Sequence, residues 1–188
     1  MSENAIQQCL LLFYAIACPG LYFCTGALIS ESYVLTAAHC LRNIRKDVKF
    51  RVVVGASKLY QSERKTIYTN KFWMHENFTM PLAVYDIGII KLPEPLIRSE
   101  SIQWLKLSTK ANTDLDDDDK EVEIAGWGYT EFNRRMSRNL QYTKMNLIPL
   151  DECKKYKSHY IEDMNEDHIC TEKIEGMPCG GDSGSVIV

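Results

Sequence analysis

The feature that most constrains this chain is a recurring short period. Brief apolar or alternating segments follow one another, each stopped by glycine, proline or polar turn residues. Lys49 to Gly55 runs into Val52-Val53-Val54 and stops at its glycine. Ile87 to Leu92 is an apolar run ended by Pro93. Glu121 to Ala125 alternates acid with Val122 and Ile124, then meets Gly126-Trp127-Gly128. Lys144 to Leu150 carries Met145, Leu147 and Pro149 in alternation. β-branched residues and regular turn punctuation predict an all-β class, sandwich or barrel. One helix is expected, from Glu152 to about Tyr160, with Asp151 as its cap.

Ser108 to Lys120 is polar and contains Asp114 and Asp116 to Asp119. It divides the chain into two strand-rich parts and is expected to be a linker between two β lobes. A length of 188 residues suits one domain or two small lobes, and a 45% apolar fraction suits a buried core. The formal charge of −3 and the lack of a basic run argue against nucleic acid or a membrane surface as partner.

The seven cysteines are Cys9, Cys18, Cys24, Cys40, Cys153, Cys170 and Cys179. None forms a Cys-x-x-Cys pair, so a zinc or thioredoxin-like reading is weak, and the wide spacings suit a disulfide set. Because the number is odd, at least one thiol lacks an intrachain partner. Cys9 to Cys18 encloses an apolar run too short to span a bilayer. It has the length of a signal-peptide core, and Ala15-Ile16-Ala17 fits small-x-small cleavage. Met1 to Asn4 carries no basic residue, so a buried strand of the folded domain is the competing reading. Asn77-Phe78-Thr79 is a glycosylation sequon, relevant on a secretory route.

Acyl transfer by a serine needs a base for its proton, a carboxylate to orient that base, and backbone N–H donors for the oxyanion. Cys179-Gly180-Gly181-Asp182-Ser183-Gly184 sets a serine among three glycines, which allow tight backbone geometry. Gly181-Asp182-Ser183-Gly184 resembles the nucleophile turn of chymotrypsin/trypsin-like serine proteases. Thr36-Ala37-Ala38-His39-Cys40 matches that family's histidine turn, Tyr85-Asp86-Ile87-Gly88-Ile89-Ile90-Lys91-Leu92 resembles its aspartate segment, and Ala125-Gly126-Trp127-Gly128 its Gly-Trp-Gly strand. The order His, Asp, Ser is that family's. Each motif alone is weak, but four in one order make a specific signal covering about Gly20 to Val188.

The resemblance implies two antiparallel six-stranded β-barrels with the site between them. Residues 20–109 are then the first lobe with His39 and Asp86, 110–120 the linker, and 121–188 the second, truncated lobe with Ser183, while 1–19 stays the candidate leader, open between signal peptide and strand. The implied roles are Ser183 as nucleophile, His39 as general base and then acid, and Asp86 as its orienting carboxylate. Gly181 and Ser183 N–H groups form the implied oxyanion hole. Disulfides Cys24–Cys40 and Cys153–Cys170 are implied, while Cys179 would pair with a cysteine beyond this sequence. No metal or organic cofactor is implied. The expected partners are protein or peptide substrates and protease inhibitors, met by a secreted monomer. Met177 falls where the family places the base of its primary specificity pocket. Trypsin-like members carry Asp there, so an apolar, chymotrypsin-like preference is the better expectation.

The sequence also departs from the pattern. In active members an Ile or Val amino terminus, freed by processing, inserts its ammonium beside the aspartate preceding the nucleophile, here Asp182. No such segment precedes Cys24, and only five residues follow Ser183, so the chain is expected to be incomplete at both ends. Asp182 would then be a buried carboxylate without its cation. Ser185 and Val186 replace the usual Gly and Pro. Asp116 to Lys120 matches the activation tag of trypsinogens, but its mid-chain position favours a solvated linker. A non-catalytic secreted homologue, and an incomplete gene model or splice product, stand as alternatives to an endopeptidase.

Overall fold

Val52, Val53 and Val54 leave the sequence as an apolar run and enter the protein as a buried strand of a curled sheet, with relative exposures of 5% or less and Val52 and Val54 in the core of the first lobe. The computed structural model describes residues 10–15, 23–47, 49–59, 62, 64–81, 83–108, 121–130, 135–156, 164–165 and 168–188. Seven strands form the first sheet: β1 (Leu10–Ala15), β2 (Phe23–Leu28), β3 (Tyr33–Thr36), β4 (Phe50–Val54), β5 (Lys65–Thr69), β6 (Phe72–Met74) and β7 (Gly88–Lys91). Their spatial order is β5-β4-β1-β2-β3-β7-β6, and every pairing is antiparallel. β8 (Glu121–Gly126), β9 (Gln141–Ile148) and β10 (Cys170–Lys173) form a second antiparallel sheet in the order β10-β9-β8.

The all-β expectation holds, but neither sheet is a barrel closed by a strand ladder. The first comes near to one. Its edge strands β5 and β6 are joined by Asn70 and Lys71 alone, so the sheet must curl back on itself. Thr69 Oγ1 and the Lys91 N–H, donating to the carbonyls of Lys91 and Lys71, tie that corner instead of a ladder. The second sheet is extended by Val188, which exchanges two backbone bonds with Glu123.

Side-chain alternation builds the cores. Phe50, Val52, Val54, Ile67, Ile90 and Leu92 meet inside the first lobe with Leu28, Val34, Leu41 and Leu96. Phe50 and Phe72, on strands far apart in the sheet order, pack edge to face at 5.9 Å, as a curled sheet requires. A second cluster joins the lobes: Ala27 and Leu59 from the first, Ala125 and Trp127 from the second, with Leu105 and Val186 against them. Trp127 is 2% exposed, and its Nε1–H donates to the Ser57 carbonyl at 3.3 Å. An indole buried with its one polar atom satisfied is a strong adhesive between layers.

The helix differs from expectation. α1 spans only Leu150–Cys153, starting earlier and stopping sooner than predicted. Asp151 lies within its first turn and Pro149 precedes it with extended backbone, so no side chain caps it. Its end is held by the Cys153–Cys170 disulfide. Of the apolar run between Cys9 and Cys18, Leu10–Ala15 is a strand lying between β2 and β4. The rest of the 1–19 segment and the acidic linker 110–120 lie outside the described residues. Among the described residues no helix is long and apolar enough to cross a membrane.

Candidate active site

His39 lies in a single 3₁₀ turn, Ala38–Cys40, at the end of β3. Small residues are needed here: Ala38 is fully buried, and a side chain at the facing Gly88 would strike Leu41. The Cys24–Cys40 disulfide ties this turn to β2. Asp86 arrives from the opposite side, just before β7. Its approach is tight, since Ala83 and Tyr85 both take left-handed backbone at φ 52. Tyr85 is braced by a stack on His75, with ring centroids 4.7 Å apart.

The two residues meet through both carboxylate oxygens. Asp86 Oδ2 accepts from His39 Nδ1 at 2.6 Å, and Oδ1 accepts the His39 backbone N–H at 2.7 Å. An ionised carboxylate on Nδ1 makes that nitrogen the donor and leaves Nε2 as the basic lone pair. Burial pushes the Asp86 pKa up. The bonds from the His39 ring and backbone, its charge and the Ala38 N–H outweigh this and hold it below the ordinary carboxylate value. Asp86 is therefore ionised wherever His39 could act as a base.

Ser183 lies in a turn of the second lobe docked onto β2 of the first. The Thr25 N–H donates to the Ser183 carbonyl at 2.8 Å, and Thr25 Oγ1 donates to the Gly181 carbonyl at 3.0 Å. Thr36 Oγ1 in turn donates to the Thr25 carbonyl at 2.9 Å. Both threonines are buried, so these bonds are sheltered from water. The approach requires a glycine: at Gly184, with φ +81, a Cβ would collide with Thr36 Oγ1 and the Thr25 carbonyl. Gly181 takes φ +104. Among the described residues, the Gly181 and Ser183 N–H groups find no acceptor, which leaves two donors beside the serine. No hydrogen bond joins Ser183 to His39 among the described residues; Nε2 lies 3.7 Å from Cys40 Sγ.

Asp182 is bonded within the second lobe. Oδ1 accepts the Gly128 N–H at 2.7 Å, and Oδ2 accepts the Cys179 N–H at 3.0 Å. Gly126 and Gly128 must be glycines, since a Cβ at either would overlap the carboxylate. Burial raises the Asp182 pKa, and the two backbone donors only partly oppose it. The Gly-Trp-Gly strand thus serves twice, its indole joining the lobes and its glycines receiving the carboxylate. A cleft of about 780 Å³ opens on Asp182, lined also by Tyr142, Thr143, Gly176 and Met177. Met177 is 70% exposed, and Cys179 is an exposed free thiol. Cys24, His39 and Cys40 bring ligand-type atoms within 4.8 Å of one another. The two sulfurs are committed to their mutual bond, so the trio is a brace and not a metal centre.

The trypsin family model matches residues 13–188, which include His39, Asp86 and Ser183. The chain belongs to the trypsin family. Similar curated proteins include Hypodermin-A of Hypoderma lineatum, 28% identical over 170 residues, covering 90% of this chain and 64% of that protein. Trypsin of Sarcophaga bullata is 26% identical, covering 89% and 64%. Trypsin theta of Drosophila melanogaster is 30% identical, covering 88% and 62%. This chain therefore spans less than two thirds of the length of these relatives. The fold is similar to that of a scabies mite inactivated protease paralogue, with a TM-score of 0.83 at 18% identity, covering 100% of this chain and 78% of that one.

Within this trypsin-family site, the histidine and aspartate turns meet as a pair, and both expected disulfides are present. Sequence reasoning missed Thr25. Its only signal is a polar residue inside the apolar stretch Phe23–Leu28, directly after a cysteine.

Proposed function

We propose that this chain forms part of a secreted serine endopeptidase. Ser183 attacks the peptide carbonyl, and His39 takes its proton and then passes it to the leaving amine. Asp86 holds the imidazole in its productive tautomer, while the Gly181 and Ser183 N–H groups receive the oxyanion. The observation that carries the reading is the doubly bonded Asp86–His39 pair, which prepares Nε2 as the base. Among the described residues Ser183 makes no bond to His39, which does not oppose the reading, since nucleophile–base bonds in free sites are often long until substrate tightens them. An apolar preference at the scissile bond follows from Met177, where a lysine- or arginine-selecting site would hold a carboxylate. The Cys24–Cys40 and Cys153–Cys170 disulfides suit a secreted route. Protein substrates and protein protease inhibitors are the partners of such a cleft, acting on a monomer. Asp182, raised in pKa by burial beside an open cleft, is suited to receive an ammonium released by processing.

A second reading, a non-catalytic homologue that binds rather than cleaves, is favoured by the missing His39–Ser183 bond. The test is labelling of the secreted, processed protein with a fluorophosphonate probe. Labelling that disappears in Ser183→Ala is expected. Equal labelling of both, or none, would overturn the endopeptidase in favour of the binding module.

A further inference from the structure

The segment leading to Asp86 carries a feature that the proposed chemistry does not use. Asn77-Phe78-Thr79 is an Asn-x-Thr tripeptide with no proline at its centre. Such tripeptides occur often by chance, and a fold can hide the amide or engage it. Here neither happens. Asn77 and Thr79 are exposed while Phe78 turns partly inward. Only the Asn77 backbone is engaged, donating to His75 Nδ1 at 3.2 Å, and among the described residues its side-chain amide has no partner. The backbone around it is well defined: the Phe78 N–H donates to the His75 carbonyl and the Thr79 N–H to the Val84 carbonyl. The tripeptide thus forms an outward turn on a fixed stem, with its two reactive side chains in solvent.

We propose that Asn77 is an attachment site for an N-linked oligosaccharide. The inference rests on the secretory reading above, since the donor is an oligosaccharide carried on a lipid diphosphate in the secretory lumen. Asn77 Nδ2 forms a bond to the anomeric carbon of the first sugar and loses one proton. The bond from that carbon to the diphosphate oxygen breaks, and the lipid diphosphate departs with its electron pair. No redox change is involved. The sugar stands beside the segment that carries Asp86, because the His75 N–H is bonded to the Ile87 carbonyl, one residue beyond the aspartate. The flat His75–Tyr85 stack lies next to it and offers an aromatic surface to the C–H face of a sugar ring. The same rim exposes Trp73, Met74, Tyr85 and Ile87, apolar area that an oligosaccharide would screen from other proteins.

The test expresses the full chain in eukaryotic cells and maps its peptides by mass spectrometry. Glycosidase release in heavy-oxygen water marks any modified asparagine as a labelled aspartate, and a non-reducing map follows the disulfides. The expected result is labelled Asn77 together with closed Cys24–Cys40 and Cys153–Cys170. The label should vanish in Asn77→Gln and in Thr79→Val and persist in Thr79→Ser, which keeps the hydroxyl. Closed disulfides with unlabelled Asn77 would overturn this site and leave the secretory reading standing. Reduced cysteines with unlabelled Asn77 would overturn both.

Discussion

The two lobes contribute unequally to the site. The first has seven strands and a core of its own, and it holds His39 and Asp86 in one piece through two direct hydrogen bonds and a disulfide. Among the described residues the second has three strands. Its described residues supply only six members of the buried apolar set, Val122, Ala125, Trp127, Met145, Cys153 and Cys170. Two of these are joined as one disulfide, and Ala125 and Trp127 belong to the cluster shared with the first lobe. The serine turn is held from two sides: its own lobe bonds it through Gly128 to Asp182, Tyr129 to Gly180 and Ser185 to Ala125, and the first lobe through Thr25 and the close fit of Gly184. A base and its carboxylate need a rigid mutual geometry, which one core supplies. A nucleophile on the other lobe must be brought to them across an interface, and here that interface is the apolar cluster around Trp127, Ala27, Leu59 and Ala125 with a few hydrogen bonds beside it.

Trp127→Ala is the strongest way to break this comparison. Removing a buried indole costs about 3–5 kcal/mol, and here it loosens the joint between lobes. Hydrogen exchange is expected to show early loss of protection in β8 and β9 with β4 still protected. Loss in both sheets together would mean that the lobes unfold as one unit.

A smaller and more local loss is expected from Thr25→Val. It keeps the backbone bond to Ser183 but leaves the part-buried Gly181 carbonyl without its hydroxyl donor, a cost of about 1 kcal/mol. The denaturation midpoint should fall, and fluorophosphonate labelling of Ser183 should slow. Thr25→Ser should recover both. An unchanged labelling rate in the valine variant would show that the hydroxyl bond to Gly181 does not help to position the serine.

The mildest effect is that of pH, and its sign should differ between the lobes. Asp86 is depressed in the fold. Its contribution is complete above its unfolded pKa of about 3.9 and is lost as pH falls through the lower folded value. Asp182 is raised in the fold. Its contribution is present below about 3.9 and is lost as pH rises through the higher folded value. Urea midpoints followed across this range should lose their acid-side fall in Asp86→Asn and their fall with rising pH in Asp182→Asn. Matching profiles for the two variants would remove the distinction.

Much of this molecule was settled by local sequence. Val52-Val53-Val54, the run ending at Pro93 and the alternation before Gly126 determined strands, because a period of two and a stop are local properties. The four motifs likewise pointed to His39, Asp86 and Ser183, since each turn has its own short signature. Sequence reading overextended the helix beyond Cys153, because a polar, helix-compatible stretch contains no signal for the disulfide that ends it. It left the run after Cys9 open between leader and strand, because apolar character serves both. Only the tertiary structure decided that β1 lies between β2 and β4, that the first sheet curls without closing, and that Trp127 joins the lobes. It alone showed Thr25 bonded to Gly181 and Ser183, more than 150 residues away. Such contacts have no local signature, for they depend on which surfaces meet after the strands have formed.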